Sequence, residues 1–236
     1  MAAQFQVRTD DPSQTLEEIW PAFGLRIESP RLVLRVLREA DFPQYLAAAS
    51  SGVTHTEQNP FSAPWNEKPP AEMARNSLPF IWSTRGLVTA EHWHLPLGVF
   101  LKDGDTEGPV IGMQDVFAKD WAVLRTVGSG SWLRADHHGH GYGTEMRAMM
   151  LAWVFDHFGA EYAESDAYEW NTASRRVSEK LGYTPCGSRR APDAHRRSAE
   201  QLDLFRLSPE DFQKPEWPVE VEGSDRLRAF LESGGA

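Results

Sequence analysis

A glycine-rich stretch that runs directly into an amphipathic helix pattern constrains this chain more than any other feature. The stretch reads His138-Gly139-His140-Gly141-Tyr142-Gly143-Thr144-Glu145. Glycine permits tight turns and a close approach of the backbone to a ligand. The first turn of a helix offers unpaired N–H groups and the positive end of the helix dipole. The stretch therefore predicts an anion cradle, although a Gly-x-Gly pair is also typical of a plain strand-to-helix turn.

The flanking residues place this loop between a strand and a helix. The segment from Ser129 to Arg134 reads as a strand that ends in a polar turn. Apolar residues after the loop fall near the spacing of one buried helix face, namely Met146, Met149, Met150, Trp153 and Val154, followed by His157. A dinucleotide-binding fingerprint needs G-x-G-x-x-G, and a P-loop needs Gly-Lys-Ser/Thr after four intervening residues. The loop matches neither pattern.

The loop resembles motif A of the GNAT (GCN5-related N-acetyltransferase) family, whose signature is Arg/Gln-x-x-Gly-x-Gly/Ala. The first position of the signature is His138 in this chain. A second motif, from Asn171 to Tyr183, resembles the later helix of the family, which starts at an Asn and ends in Leu-Gly-Phe/Tyr. The resemblance implies an α/β fold, in which a mixed, mostly antiparallel sheet flanked by helices splays where the cofactor enters.

The resemblance extends over nearly the whole chain. The segment from Leu25 to Arg35 is similar to the opening strand of the ribosomal-protein-acetylating branch. An actinobacterial subgroup that includes a mycobacterial succinyltransferase is similar in the segments Pro60 to Trp65, Ser129 to Leu133 and Gly139 to Arg147. We therefore predict a lead-in over residues 1–24, an acyltransferase domain over residues 25–213 and a C-terminal extension over residues 214–236.

Apolar patterns and turn signals divide the chain into elements. Strands are predicted at Leu25 to Leu37, His94 to Lys102, Pro109 to Ala118, Val123 to Arg134, Glu161 to Tyr168, Tyr183 to Arg190 and Glu200 to Leu207, with a short one near Trp217 to Val221. Helices are predicted from near Asp41, from Pro70 to about Arg85, after the glycine loop, and from Thr172 to Leu181. A long loop is predicted from Gly52 to Pro70. Its part from Pro60 to Trp65 and the segment from Trp82 to Trp93 are expected to help wall an acceptor pocket.

The chemistry that the resemblance implies is direct transfer of an acetyl or succinyl group from an acyl-coenzyme A to a primary amine. The acceptor is expected to be a small molecule or a protein amine. Contacts to the coenzyme are expected from the end of the strand, the loop and the second motif, which supply Trp132, Leu133, Arg134, His138, Gly139, His140, Gly141, Tyr142, Gly143, Thr144 and Asn171.

An ammonium group has no lone pair, and the pKa of a primary amine lies about three units above neutrality, so the site needs a base. Asp166 is the expected base, because family members that use a Glu from this strand place it here; the alternative is an exposed or loop-capping carboxylate. Glu164 and Tyr168 share the strand face of Asp166, so any of the three could meet the substrate.

The departing thiolate raises a separate question. Many relatives supply a Tyr seven residues after the motif Asn to protonate it, and this chain has Ser178 there. Ser174 is a polar alternative, and a thiolate with a pKa of about 8.5 can leave without strong acid help. The departures at His138 and Ser178 leave a second reading open, a non-catalytic or regulatory protein that binds acyl-coenzyme A.

A succinyl donor carries a terminal carboxylate, which needs a cation or several hydrogen-bond donors near the thioester. The sequence offers Ser129, Ser131, Arg125 and Arg85 for this task. We rank acetyl-coenzyme A first, because acetyl is the commoner donor in the family.

Composition limits the remaining possibilities. The 236 residues carry a formal net charge of −10, which argues against a nucleic-acid partner and suits a cationic substrate. The sequence lacks an apolar run of about 20 residues, a secretory signal pattern and a zinc-ligand spacing, and its single cysteine is Cys186. We expect a cytoplasmic enzyme with no metal and no membrane partner, and a homodimer stays open.

Overall fold

A mixed sheet organises the part of the chain that the computed structural model describes, which is residue 8 and residues 10–193 and 198–233. The nine strands of this part are β1 (Arg26–Glu28), β2 (Leu32–Val36), β3 (Trp93–Asp103), β4 (Thr106–Ala118), β5 (Thr126–Leu133), β6 (Tyr162–Tyr168), β7 (Thr184–Asp193), β8 (Ser198–Leu207) and β9 (Glu220–Glu222). Their order across the sheet is β7-β8-β6-β5-β4-β3-β2-β1-β9. Each neighbouring pair is antiparallel except β5 and β6. The predicted fold class is confirmed.

Helices cover both faces of the sheet. The α-helices are α1 (Leu16–Ile19), α2 (Phe42–Ser50), α3 (Pro70–Gly86), α4 (Trp121–Leu124), α5 (Tyr142–Ala152), α6 (Thr172–Lys180) and α7 (Ser224–Ser233). Short 3₁₀ turns occur at Pro21–Gly24, Glu39–Asp41, Trp65–Glu67 and Ala135–His137. A π-helical segment, Trp153–Phe158, continues α5 and ends at Gly159, whose φ of 84° a residue with a side chain rarely adopts.

The sheet separates two hydrophobic cores. The larger core contains α5 and α7 and includes Met149, Trp153 and Leu227, all fully buried. The smaller core packs α2 and α3 against the opposite side of the sheet, where Tyr45 lies next to Trp132. We call these two sides the α5 face and the α2–α3 face.

The structure differs from the predicted elements in several places, each with a local cause. The strand predicted from Leu25 to Leu37 is two strands, because Pro30 cannot donate to a ladder and the Ser29 hydroxyl accepts a hydrogen bond from the Leu32 N–H at 2.9 Å. The strand predicted from Val123 begins at Thr126, after the one-turn helix α4.

Two further differences lie on helices. The buried face predicted for α5 is too narrow, because every residue of this helix from Glu145 onward is buried. His157, which was predicted to lie on the buried face, is exposed. Helix α7 was not predicted, although it buries Leu227 and Leu231 in the larger core. Strand β9 pairs with β1, so residues 220–222 extend the sheet. The domain boundaries predicted after residue 24 and after residue 213 stay a prediction.

The one parallel strand pair of the sheet is short, and the candidate site lies where this pairing ends. Strands β5 and β6 pair only at Thr126 with Tyr162, Val127 with Ala163 and Gly128 with Glu164. Beyond these residues β5 continues along β4, and β6 continues along β8. The strands therefore separate and leave a gap, which we call the β5–β6 opening.

A buried ion cluster joins β2 to the turn before α2. Arg35 donates to Asp41 Oδ2 at 2.7 Å and to Glu107 Oε1 at 2.7 Å, and its guanidinium carbon lies 4.0 Å from the centre of the Phe100 ring. Burial raises the pKa values of Asp41 and Glu107, but hydrogen bonds outweigh burial and hold both below their usual values. Arg35 donates to both carboxylates, the Arg38 N–H also donates to Asp41, and Arg26 also donates to Glu107. Both carboxylates are therefore ionised in the folded protein at neutral pH.

Replacing Arg35 is expected to destabilise the fold in a pH-dependent manner. Arg35→Met should lower the free energy of unfolding at pH 7 by about 1.5–3 kcal/mol, because Asp41 loses its ion-pair partner and Glu107 keeps only Arg26. A carboxyl group whose pKa is lower in the folded state than in the unfolded state stabilises the fold at pH values above its unfolded pKa of about 4. This stabilisation is lost as the pH falls through the folded pKa. The difference between variant and wild type should therefore shrink towards pH 3, measured by urea unfolding.

A matched control is the exposed ion pair between Lys68 and Glu72, with side chains 43% and 45% exposed. Lys68→Met should change the free energy of unfolding by less than about 1 kcal/mol at either pH. Equal losses in the two variants would contradict a special contribution of the Arg35 cluster.

Candidate active site

The glycine loop presents a row of unpaired backbone donors at the start of α5. Gly139 and Gly141 have φ angles of 80° and 85°, in the left-handed region that favours glycine. The N–H groups of residues 139–143 donate no hydrogen bond within the described part of the chain, whereas those of Thr144 and Glu145 both donate to the Gly141 carbonyl at 3.1 Å. The free N–H groups and the helix dipole together form a site for phosphate oxygens.

A buried carboxylate fixes this loop to the turn between β1 and β2. Glu145 accepts hydrogen bonds from Ser29 Oγ at 2.7 Å and from Arg31 Nε at 2.8 Å. Arg31 also donates to the His140 carbonyl at 3.1 Å, and its guanidinium carbon lies 4.6 Å from the centre of the Tyr142 ring. The Arg31 guanidinium is half exposed beside the loop, so it adds positive charge to the cradle.

The end of β5 runs along the β5–β6 opening. Trp132 and Leu133 are buried, and they pair with β4 only, so the side of the strand that faces the opening is not covered by β6. The Arg134 side chain is held by Asp136, at 2.6 Å between Nη2 and Oδ2. His138 Nε2 lies 3.0 Å from the Leu133 carbonyl oxygen, so a hydrogen bond connects the start of the loop to the end of β5.

A buried guanidinium crosses the opening on the α5 face. Arg147 is only 5% exposed, and it donates to Ser165 Oγ on β6 at 3.2 Å and to Ser131 Oγ on β5 at 3.4 Å. No carboxylate of the described residues lies within ion-pair distance of it. Burial raises the pKa of the neighbouring Tyr183, although the Arg147 charge acts in the opposite direction. A buried cation without a counter-ion is costly, so the opening favours an anionic group here.

The predicted base lies on the other face. Asp166 is 49% exposed and forms an ion pair with Arg189 at 3.2 Å. Glu164, on the same face, forms an ion pair with Arg206 at 2.6 Å. The Tyr168 hydroxyl donates to the Pro192 carbonyl at 3.1 Å, and its ring stacks on Trp170. The carboxylates of Asp166 and Glu164 are therefore exposed to solvent, whereas Tyr168 is buried.

Helix α6 lies on the α5 face, opposite Asp166. Asn171 caps this helix by accepting a hydrogen bond from the Ser174 N–H at 3.2 Å. Ser174 is partly exposed, whereas Ser178 is 1% exposed and packs inside the protein. The opening between β5 and β6 thus has the α6 residues on one side and Asp166 on the other.

The α2–α3 face adds residues that the sequence did not single out. His94 Nε2 lies 3.2 Å from Asp115 Oδ1, and the His94 ring lies between Phe80 and Phe117. Burial raises the pKa of Tyr45 to about 12, and the charge of Asp115 acts in the same direction. The sequence could show only that His94 and Asp115 lie in two predicted strands with alternating side chains. The register of β3 with β4 is needed to place the two side chains next to each other.

The long loop after α2 lines a cavity on the same face. This cavity has a volume of about 210 Å³ and is bordered by Ala63, Pro64, Trp65, Lys68, Met73, Asn76 and Ser77. The Trp65 ring lies 5.5 Å from the Trp132 ring, so the cavity adjoins the end of β5. Trp82, from the second segment that was expected to wall the pocket, is 48% exposed and does not line this cavity.

Within the described residues, no group of three or more His, Cys, Asp or Glu side chains is arranged to hold a metal ion. No helix in the same part of the chain combines the length and the apolar character needed to cross a bilayer.

The chain was compared with known families and solved structures. A family model described as an acetyltransferase (GNAT) domain matches residues 31–184. Mycobacterium smegmatis RimJ, in complex with CoA-disulfide, is 18% identical, with a TM-score of 0.64 over 88% of this chain and 92% of that chain. A GCN5-related N-acetyltransferase from Brucella melitensis is 17% identical, with a TM-score of 0.60 over 79% of each chain.

A further similar structure is the microcin C7 self immunity acetyltransferase MccE, in complex with acetyl-CoA and AMP. It is 14% identical, with a TM-score of 0.57 over 75% of this chain and 92% of that chain. At these identities the solved structures show a shared fold.

Proposed function

Because the chain belongs to the GNAT acetyltransferase family, we propose that it transfers an acyl group from an acyl-coenzyme A to a primary amine. The row of unpaired N–H groups at residues 139–143 carries this proposal, because it lies at the start of α5 beside the β5–β6 opening. Two structures of similar fold, RimJ and MccE, hold CoA-disulfide and acetyl-CoA, which supports the donor class.

The residues predicted to hold the donor form a continuous path. Loop residues 139–143 would bind the pyrophosphate through their N–H groups, with His138 and Thr144 at the two ends of the loop. Backbone groups around Trp132 to Arg134 that face the opening would pair with the pantetheine amides, which would replace the bond from His138 to the Leu133 carbonyl. Asn171 caps the helix on the opposite wall of the opening and would contact the same arm.

The reaction requires that the acceptor ammonium lose a proton before its nitrogen forms a bond to the thioester carbon. As the C–S bond breaks, the nitrogen gives up its second proton and the thiolate takes up one proton, so that coenzyme A leaves as the thiol. Asp166 is the proposed base, since it is exposed on the face opposite α6. Ser174 is the proposed donor to the thiolate, because it is partly exposed, whereas Ser178 is buried. Tyr168 would support β6 through its bond to Pro192.

The identity of the acyl group is a finer proposal. We propose acetyl-coenzyme A as the donor and succinyl-coenzyme A as the second candidate. The observation that favours succinyl is Arg147, a buried cation that donates hydrogen bonds to the neutral side chains of Gln114, Ser131 and Ser165. Of the arginines suggested by the sequence, Arg85 is paired with Glu39, and the guanidinium of Arg125 lies over the Trp121 ring. Both are therefore already in contact with other groups.

A second candidate function is that of a regulatory protein that binds acyl-coenzyme A without turnover. The observation that favours it is the buried Ser178 at the position of the expected general acid. For the enzyme, the acceptor is a small-molecule or protein amine. A cytoplasmic location belongs to the same proposal, since the lone Cys186 needs no oxidising compartment.

The test of the proposed function is incubation with acetyl- and succinyl-coenzyme A and a library of amines, with product detection by mass. We expect an N-acylated product and free coenzyme A in equal amounts. Competition at equal donor concentrations decides between acetyl and succinyl, and Arg147→Met should weaken only the use of succinyl. Binding of coenzyme A with no product from any donor would favour the regulatory protein.

A further inference from the structure

A histidine–carboxylate pair lies on the α2–α3 face beside the β5–β6 opening. His94 is on β3 and Asp115 on β4, with 3.2 Å between His94 Nε2 and Asp115 Oδ1. Both atoms are shielded from solvent, and neither makes a well-aligned hydrogen bond within the described part of the chain. A carboxylate oxygen without an aligned donor is costly, and the Asp115 side chain as a whole is 21% exposed, so a turn of the carboxylate gives a ligand donor access to this unused capacity.

Open space lies next to this carboxylate. Asp115 is opposite Gly130 on β5, and a Cβ added at Gly130 would meet no heavy atom within 4 Å. The last residues that pair across β5 and β6 are Gly128 and Glu164. Since side chains alternate along a strand, Gly130 and Asp166 are the next positions on the same face. Asp115 and Asp166 therefore flank one open position from opposite walls.

Aromatic rings border the same position. The ring centres of Phe80 and Phe117 lie 5.7 Å and 5.6 Å from that of His94. Both are large apolar side chains that remain exposed, Phe80 at 45% and Phe117 at 38%. Aromatic rings beside a carboxylate suit a ligand that carries a cation on an apolar body.

We infer that His94 and Asp115 form the ammonium-binding part of the acceptor subsite. Asp115 accepts a hydrogen bond from the acceptor ammonium, His94 holds that carboxylate in place, and the apolar body of the acceptor packs against Phe80 and Phe117. Asp166, on the opposite wall, takes the proton. The inference rests on the proposed function, and it narrows the acceptor to a primary amine on an apolar or aromatic body.

The kinetic test uses 2-phenylethylamine and ethanolamine as acceptors, which differ in their apolar bodies. Wild type should prefer 2-phenylethylamine. Asp115→Asn should raise the KM for this amine by about 10- to 100-fold, the effect of a lost hydrogen bond to a charged group, with a smaller change in kcat. Phe117→Ala should reduce the preference. Coenzyme A affinity should stay at the wild-type value in both variants.

A binding measurement separates this inference from the proposed function. In the coenzyme A-bound protein, 2-phenylethylamine should perturb the ring resonances of His94 in NMR spectra, and Asp115→Asn should abolish the effect. Perturbation without turnover would retain the subsite and overturn the proposed function. Turnover with no perturbation and an unchanged KM in Asp115→Asn would overturn the inference. The absence of both turnover and perturbation would overturn both.

Discussion

Gly141→Val is expected to raise the dissociation constant for coenzyme A by at least about 100-fold, a loss of about 2.7 kcal/mol of binding free energy. Gly141 has a φ of 85°, which a β-branched residue adopts only at a cost of about 1–3 kcal/mol. The loop must therefore rearrange, and the unpaired N–H groups of residues 139–143 no longer converge on one anion. Isothermal calorimetry with coenzyme A measures the effect.

Gly104→Val is the matched control. Gly104 lies in the turn between β3 and β4, away from the cradle; it has a φ of 60°, and a Cβ there would meet no heavy atom within 4 Å. This variant should bind coenzyme A as the wild type does. Circular dichroism should show both variants folded, because Gly141 is exposed at the start of α5. Wild-type affinity in a folded Gly141→Val variant would refute the cradle.

Asp166→Asn is expected to lower turnover by about 10²–10⁴, the usual contribution of general acid–base catalysis. The change keeps the shape of the side chain and removes its ability to accept a proton. Affinity for coenzyme A should be unchanged, because Asp166 lies on the face opposite α6. Steady-state kinetics with a saturating amine and calorimetry with coenzyme A measure the two quantities separately.

Asp156→Asn provides a close control for charge and exposure. Asp156 is 41% exposed and pairs with Lys214 at 2.7 Å, compared with 49% and 3.2 Å for Asp166 and Arg189. It belongs to the segment that continues α5, away from the opening, so its replacement should leave turnover unaltered. Unaltered turnover in Asp166→Asn across the pH range would exclude Asp166 as the base and make Glu164 the next residue to replace.

Local features of the sequence predicted the parts of the site that depend on backbone conformation. The glycine spacing predicted the loop before α5, and the resemblance of the second motif predicted a helix that starts at Asn171, which the structure shows as the cap of α6. Both depend on residues close together in the chain, so no tertiary contact was needed to foresee them. The fold class followed from the resemblance carried by these two motifs.

Features of the site that depend on tertiary contacts could not be predicted from the sequence. Arg147 in a helix resembles a solvated surface residue, and its burial arises only because α5 lies across Ser131 and Ser165. The pair of His94 and Asp115 requires the register of β3 with β4. Helix α7 did leave a signal, the four-residue spacing of Leu227 and Leu231, which the sequence interpretation did not use.

The central claim is that residues 139–143 hold the pyrophosphate of an acyl-coenzyme A donor. Titration of ¹⁵N-labelled protein with coenzyme A, followed by amide NMR spectra, tests this claim most directly. We expect the largest chemical-shift changes at the amides of residues 139–143, with smaller ones along Trp132 to Arg134. Saturable binding that leaves the amides of residues 139–143 unshifted would contradict it.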